Sequence, residues 1–284
     1  MAKQIVMKKI TFFSACLFAL CCLAEGQQLR TPAPSSTQTI RQELGLSNID
    51  LVYSRPGIKG RKIFGDLVPY GKVWRTGANN ATTITFGDEV MIGTTKVPAG
   101  KYGLLTIPDK DQWTIIITKQ LDVTSPAAYK QDQDVVRLTA KAEQLPFSVE
   151  TFTAMFNNVT STSTDLDLIW DQTLVTLPIK TDIDTKIMAQ IKTLVDGDTR
   201  PYYAAAMYYM DNGKDLNKAL TWFDKSIEQN PKAYWAYHQR ANLLAKMGKK
   251  QDAIASANKS IELAKEAKND DYVQLNEKLL VTLK

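Results

Sequence analysis

The densest concentration of groups capable of chemistry lies between residues 55 and 75. Arg55, Lys59, Arg61, Lys62, Lys72 and Arg75 stand against one acid, Asp66, so 21 residues carry a net +5. Pro56, Gly57, Gly60, Gly65, Pro69 and Gly71 force loops here. Trp74 adds an aromatic face, and Asn79 and Asn80 follow it. Guanidiniums beside loop amides are forked donors for carboxylate, sulfate or phosphate groups. A tryptophan beside polar donors equally suits a sugar ring. The candidate ligand-binding residues are therefore Arg55, Lys59, Arg61, Trp74, Arg75 and Asn79. Arg61 is expected to be the most exposed of the arginines, because Gly60 and Lys62 flank it. The competing expectation is structural: arginines on a long loop satisfy buried carbonyls, and Trp74 belongs to the core.

Other reactive types are sparse. Asp66, Asp88, Glu89, Asp109 and Asp111 include no pair whose spacing singles it out for glycoside cleavage. Asp109-Lys110-Asp111 and Asp165-Leu166-Asp167 lack the remaining oxygens of a calcium loop. The one histidine, His238, sits among Tyr234, Trp235 and Tyr237 and reads as a packing residue. No catalytic residue, metal site or cofactor is expected. A net charge of +5 over 284 residues is too mild to argue for nucleic acid.

The N-terminus carries an address. Met7-Lys8-Lys9 precedes a 14-residue apolar run, residues 10–23, and then small residues. That pattern is a secretory signal peptide, with cleavage before Gln27, and the run is too short to span a membrane comfortably. Cys21 and Cys22 near its end would allow a lipoprotein variant, but Ala19 and Leu20 fit a lipid-attachment box poorly. Cleavage takes all three cysteines with it, plus Lys3, Lys8, Lys9 and Glu25 from 35 basic and 30 acidic residues, leaving +3. The mature protein then has no disulfide and no thiolate, and must rely on its core.

The elements that would position these residues fall into two classes. Residues 27–37 read as a linker, rich in Pro, Ser and Thr from 29 onward. From 38 to 180, short apolar runs are broken by Gly, Pro, Asn and Asp. Candidate strands are 39–43, 49–54, 82–86, 90–92, 102–107, 113–118, 135–142, 150–156, 165–170 and 174–179. Leucines alternate with aspartates in Asp165-Leu166-Asp167-Leu168, as a half-buried strand requires. About ten such strands predict an all-β antiparallel sandwich or barrel-like domain.

Residues 181–284 switch to a helical period. Ile183, Ile187, Ile191 and Leu194 mark an amphipathic helix. Lys225-Ser226-Ile227-Glu228 recurs as Lys259-Ser260-Ile261-Glu262, 34 residues on. Gly213 and Gly248 are 35 apart, a one-residue slip in a turn. This is the period of tetratricopeptide repeats, helix-turn-helix units that stack. Two repeats are read at about 201–232 and 233–268, with Pro231 opening the second and a capping helix after them. The expected packing residues are Ala206, Gly213, Ala219, Phe223, Tyr237, Ala241, Gly248 and Ala253. Ala257 departs from the pattern, standing where the first repeat has its large aromatic. Tyr202, Tyr203, Tyr208, Tyr209, Trp222, Tyr234 and Trp235 exceed the needs of one helical pair, so some are expected on a concave peptide-binding surface.

Two stretches carry a family resemblance: Ser54-Arg55-Pro56-Gly57 through Trp74-Arg75-Thr76-Gly77 to Phe86, and Val97-Pro98-Ala99-Gly100 through Pro108, followed by Trp113-Thr114-Ile115-Ile116-Ile117. Residues 29–179 resemble the secreted family labelled domain of unknown function 2911, whose members commonly carry tetratricopeptide repeats behind it. The resemblance implies an exported, β-rich domain and no known reaction or ligand. The expectation is an exported non-enzymatic binding or assembly protein, periplasmic or envelope-associated. It would hold an unidentified protein or peptide through its repeats, with an anionic or sugar ligand at the β-domain loop. The alternative is an envelope hydrolase or carbohydrate-binding protein using that loop. Expression in a diderm bacterium should yield an intact mass for a chain starting near Gln27. An uncleaved cytoplasmic product would refute export, and a lipid-sized increment on a chain starting at Cys22 would show an anchored form.

Overall fold

The structure is a computed structural model that describes residues 31–283 apart from 196, 198 and 199. The signal peptide read at residues 1–26 lies outside the described residues. The chain divides into two units, one ending at Thr181 and the other beginning at Asp182.

The first unit is a nine-stranded antiparallel sheet. Its strands are β1 (Ser36–Leu44), β2 (Ser47–Arg55), β3 (Thr83–Phe86), β4 (Val90–Ile92), β5 (Thr95–Val97), β6 (Gly100–Ile107), β7 (Gln112–Thr118), β8 (Asp134–Asn157) and β9 (Ser163–Lys180). Their order is β1-β2-β3-β6-β7-β8-β9-β4-β5. Period-two patterning explains the elements: Ile49, Leu51 and Tyr53 of β2 are buried while Asp50 and Val52 are not.

β8 and β9 curl this sheet over one core. Each was expected as two strands and is one long strand with a bend. Register shifts fall between Gln144 and Val149 and between Val149 and Thr153 of β8. In β9 the buried positions run Leu166, Leu168, Trp170 and then Val175, Leu177, Ile179, so their parity flips across Asp171, whose φ is +52°. A bulge does this by adding residues to one strand. Pro146 and exposed Phe147 mark the corner in β8. The bend brings β8 back to the far end of β2. Ile58 N–H donates to Glu150 O (2.8 Å) and Phe152 N–H to Pro56 O (2.9 Å), giving an antiparallel bridge between Gly57 and Thr151. The Tyr53 hydroxyl adds bonds to the Ala154 carbonyl and amide. The sheet thus nearly closes on itself, which explains its barrel-like character. β5 was not foreseen; it is three residues long, too short for a pattern.

The second unit holds six helices among the described residues: α1 (Asp184–Val195), α2 (Tyr202–Asp211), α3 (Leu216–Gln229), α4 (Tyr234–Lys246), α5 (Lys250–Glu266) and α6 (Asp270–Thr282). The pairs α2/α3 and α4/α5 are the two repeats. The slip sits in their turns: residues 212–215 join the first pair and residues 247–249 the second. Gly213 (φ +62°) and Gly248 (φ +75°) take the left-handed position just past the first helix of each pair. There Lys214 N–H reaches Tyr209 O and Lys249 N–H reaches Leu244 O, closing both helix ends. Ala206, Ala219, Ala241, Ala253 and Phe223 are fully buried, and Tyr237 is half-buried. Two details differ from expectation. Pro231 lies in the turn, and α4 starts at Tyr234 after Ala233. Leu194 is 40% exposed because α1 buries Ile191 and packs Ile187, Met188 and Val195 instead.

The second repeat replaces aromatic packing with polar bonds. In the first, Tyr203 meets Phe223 edge-on at 6.0 Å. The corresponding residues 35 and 34 positions on are His238 and Ala257. Here Asn276 of α6, fully buried, pairs its Oδ1 with His238 Nδ1 (2.9 Å) and donates to Ser260 Oγ (2.8 Å). Ser260 donates onward to Tyr234 O (2.7 Å). Asn242 Nδ2 lies 3.1 Å from His238 Nε2, so the ring accepts there and gives its Nδ1 proton to Asn276. Asn276→Ala should lower the stability of the helical unit by about 1–3 kcal/mol, since it leaves the buried His238 Nδ1 without its partner and takes a donor from Ser260. Lys268 has φ +55° at the end of α5, where Asn269 N–H reaches Ala264 O. Lys268→Gly should raise stability by about 0.5–1 kcal/mol by removing left-handed strain. Denaturant titration followed by far-UV circular dichroism measures both, and a loss for Lys268→Gly would contradict the left-handed turn.

Candidate functional site

The loop between β2 and β3, residues 56–82, carries the sequence-predicted ligand residues other than Arg55, which ends β2. It is tied to β6 by mutual bonds between Trp74 and Thr106 (Trp74 N–H to Thr106 O, 2.7 Å; Thr106 N–H to Trp74 O, 3.0 Å). Below it lies an aromatic cluster of Phe64, Trp74, Trp113, Phe152 and Trp170. Trp74 stacks on Trp170 at 5.8 Å and 17°, and meets Phe152 and Trp113 edge-on at 5.2 and 6.1 Å. Its indole N–H goes to Gly77 O (3.0 Å). Beside it Thr76 is fully buried at φ +54°, unusual for a β-branched residue. Thr82 Oγ1 donates to the Thr76 carbonyl (2.6 Å), and Thr106 Oγ1 lies 3.1 Å from its hydroxyl, holding the strained turn.

The arginines serve this loop. Arg55 donates to Phe152 O (3.2 Å) and Thr153 Oγ1 (2.9 Å) on β8. Arg61 caps its own turn, with Nε to Ile58 O (3.0 Å) and Nη2 to Gly57 O (2.6 Å). Arg75 Nη1 donates to Thr124 O (2.7 Å), and its Nε is buried without a hydrogen-bond partner. Asn79, at φ +57°, donates to Ser35 O (2.9 Å) and Ser54 Oγ (3.2 Å). Lys59, Arg61, Trp74 and Arg75 do share one cavity of about 280 Å³, with Trp170 and Gly77 in its wall. Arg55 and Asn79 lie outside it. Arg61 is exposed while Arg55 and Arg75 are half-buried. In this structure each of the three arginines donates to acceptors of the protein itself. Each guanidinium gives one or two of its five donors to these acceptors, and one face of Trp74 is already covered by Trp170.

Sequence reasoning missed two residues here. Glu150 accepts Lys59 N–H (2.9 Å), and Trp170 completes the stack. Neither is near the loop in sequence, so only the sheet closure reveals them. The carboxylates weighed for glycoside cleavage do not line this cavity. Asp88 and Asp109 bond the next residue's amide, and Glu89 pairs with Lys96 at 3.1 Å. Among the described residues no three His, Cys, Asp or Glu side chains are grouped to hold a metal, and no helix is long and apolar enough to cross a membrane.

The helical unit offers a second site. A groove of about 540 Å³ lies between α1, α2 and α3. Tyr202, Tyr209 and Trp222 lie along it, with Tyr209 edge-on to Trp222 at 4.7 Å. The other aromatics weighed for a binding surface pack elsewhere: Tyr203 on Phe223, and Tyr234 on Trp235 and Tyr272. Tyr208 donates to Asp184 (2.8 Å), and burial together with that bond pushes its hydroxyl up to about 12. Lys214 and then Tyr208 hold Asp184 below its ordinary carboxylate range.

Comparison with protein families supplies the affiliation. Residues 35–179, 145 of the 284, match the family described as protein of unknown function (DUF2911). The chain belongs to the DUF2911 family. Residues 222–255, from α3 through α4 into α5, match a tetratricopeptide repeat. Comparison with curated proteins and with solved structures gave no significant match. The DUF2911 domain therefore coincides with the curled sheet and includes the whole arginine loop, and the repeat lies in the helical unit.

If the loop is a structural brace, full-chain variants should lose stability in the order Trp74→Ala, Arg75→Ala, Arg61→Ala. The first should cost about 3 kcal/mol for a large aromatic removed from a packed cluster, and the second about 0.5–1.5 kcal/mol for one hydrogen bond lost at the exposed Thr124 carbonyl. Near-UV circular dichroism during denaturation reads the tryptophan cluster directly; an unchanged melt for Trp74→Ala would remove the bracing role.

Proposed function

We propose that this chain is an exported, non-enzymatic binding or assembly protein of the cell envelope, with its repeats making protein-protein contacts. A tetratricopeptide-type array is suited to that role because stacked helical pairs present extended grooves while burying their own alanines. The observation that carries the reading is the groove beside α2 and α3, where exposed lysines lie over the buried rings of Tyr202, Tyr209 and Trp222. The β-domain supports it from the other direction: its most reactive-looking residues, Arg55, Arg61 and Arg75, hydrogen-bond the domain's own carbonyls. The basic start and apolar run at residues 7–23 support export.

Photo-crosslinking from position 188 of the tagged full chain, inside a diderm host, tests the reading. A chain processed near Gln27, recovered from the envelope fraction and joined to a discrete protein, is the expected outcome. Recovery only from the cytoplasm, or crosslinks that never exceed those from a position on β1, would overturn it.

A further inference from the structure

The groove between α1, α2 and α3 has a charge pattern that specifies its occupant. Lys192 of α1 and Lys218 and Lys225 of α3 line it, and among the described residues no Asp or Glu does. Lys218 and Lys225 are seven residues apart with Trp222 between them, and Tyr202 and Tyr209 are also seven apart, so each set shares one face of its helix. Lys218 Nζ sits 5.0 Å from the centre of the Trp222 ring and 5.6 Å from that of Tyr209, and Lys225 Nζ sits 5.2 Å from that of Tyr202. The three rings are each at most 9% exposed, while all three lysines are exposed.

Among the described residues none of these three lysines has an ion-pair partner. The acids on the same helices are committed elsewhere or point away. Asp184 holds Lys214 and Tyr208, Asp215 caps the start of α3, and Asp224 pairs with Arg240 at 2.6 Å. Glu228 and Asp211 do not line the groove. Ammonium groups resting on rings are held by cation–π attraction, comparable in strength to an exposed salt bridge, so a carboxylate can exchange for the ring with little loss. As an ammonium moves outward to a carboxylate, the ring beneath it is uncovered. Ile191 and Val195 of α1 extend the apolar wall.

We propose that this groove binds an acidic peptide segment bearing one aromatic or large aliphatic side chain. Its carboxylates take Lys218, Lys225 and Lys192, and its apolar side chain takes the place the lysine stems vacate over Tyr209 and Trp222. The site lies between the flanking helix and the first repeat, not along successive repeats. The inference rests on the protein-binding reading above and names that partner's chemistry.

Fluorescence anisotropy with the purified full chain tests it, using a fluorescein-labelled nonapeptide of alternating Asp and Glu around a central Phe. Controls replace the acids by Lys, replace the Phe by Ala, or use a single-stranded oligonucleotide of equal charge. The expected result is saturable binding that weakens roughly tenfold or more in Lys218→Glu/Lys225→Glu, weakens with added salt, and survives in Lys218→Arg/Lys225→Arg. The Ala peptide should bind more weakly than the Phe peptide. Equal binding of the basic peptide or the oligonucleotide, unchanged affinity in the charge-reversed variant with an unaltered melt, or no binding of the acidic peptide would each overturn the proposal. Crosslinking in the diderm host separates the two readings: a discrete partner retained by the charge-reversed variant leaves the protein-binding function standing without this groove chemistry, and loss of every partner in the wild type removes both.

Discussion

A loop that crosses a sheet without joining its ladder must find partners for every backbone group it buries, and this constraint organises the β-domain. Residues 56–82 meet it in three ways. Their first residues continue β2 onto the far end of β8, where the Glu150 carbonyl and Phe152 amide complete a short ladder. Their last residues borrow Thr106 and Leu104 from β6. Between these, on the exposed side, arginine side chains bond the carbonyls of Gly57 and Ile58 within the loop and of Thr124 outside it. Arginine suits this use because its five donors stay charged and are fixed in a plane. The loop carries Phe64 and Trp74 onto Trp113, Phe152 and Trp170, so the segment that closes the sheet also completes the aromatic cluster.

The helical unit answers a different constraint. Two repeats bury few side chains, and each exposed end would leave apolar surface in water. At one end α1 lays Ile191 against the first repeat. At the other end the second repeat gives up the large aromatic at Ala257 and meets α6 through His238, Asn276 and Ser260. A fully bonded polar set of this kind tolerates few other registers, since a shift by one turn would leave Asn276 and His238 unpaired in the interior. Specific docking of the last helix here rests on satisfied hydrogen bonds, whereas packing in the first repeat rests on rings.

Most of the fold was legible because it follows from short-range periodicity. The alternation in Leu166 and Leu168 and the 34-residue recurrence are written directly into the chain, and the left-handed turns at Gly213 and Gly248 follow from residue type. What was hidden depends on distant pairing. The splits predicted in β8 and β9 came from polar residues around Pro146 and Asp171, which in the folded protein are bulged corners of continuous strands. The sequence also cannot say whether Arg75 faces a ligand or Thr124, since the decision is made by a strand end and loop some fifty residues away. Of the six residues proposed for a β-domain ligand, the types were right for binding anions, yet the same types are right for bonding carbonyls.

That ambiguity bears on where function is sought in this chain. A cation is evidence for a binding site only to the extent that the fold leaves it without work. By density, residues 55–75 looked the stronger candidate, but their guanidiniums reach loop and strand carbonyls and their tryptophan is stacked. Lys192 and Lys218 drew no notice in the sequence, and Lys225 did so only as part of the 34-residue recurrence, because lysines spaced along helices are ordinary solvated residues. In the folded unit they line one groove, two rest on aromatic rings, and Asp184 and Asp224 of their own helices are engaged with other partners. Among the described residues no acid in the groove neutralises the field they create, and a low-dielectric wall of Tyr202, Tyr209 and Trp222 concentrates it. An uncompensated charge beside buried aromatic surface is therefore the more informative feature, although it is the less conspicuous one in the sequence.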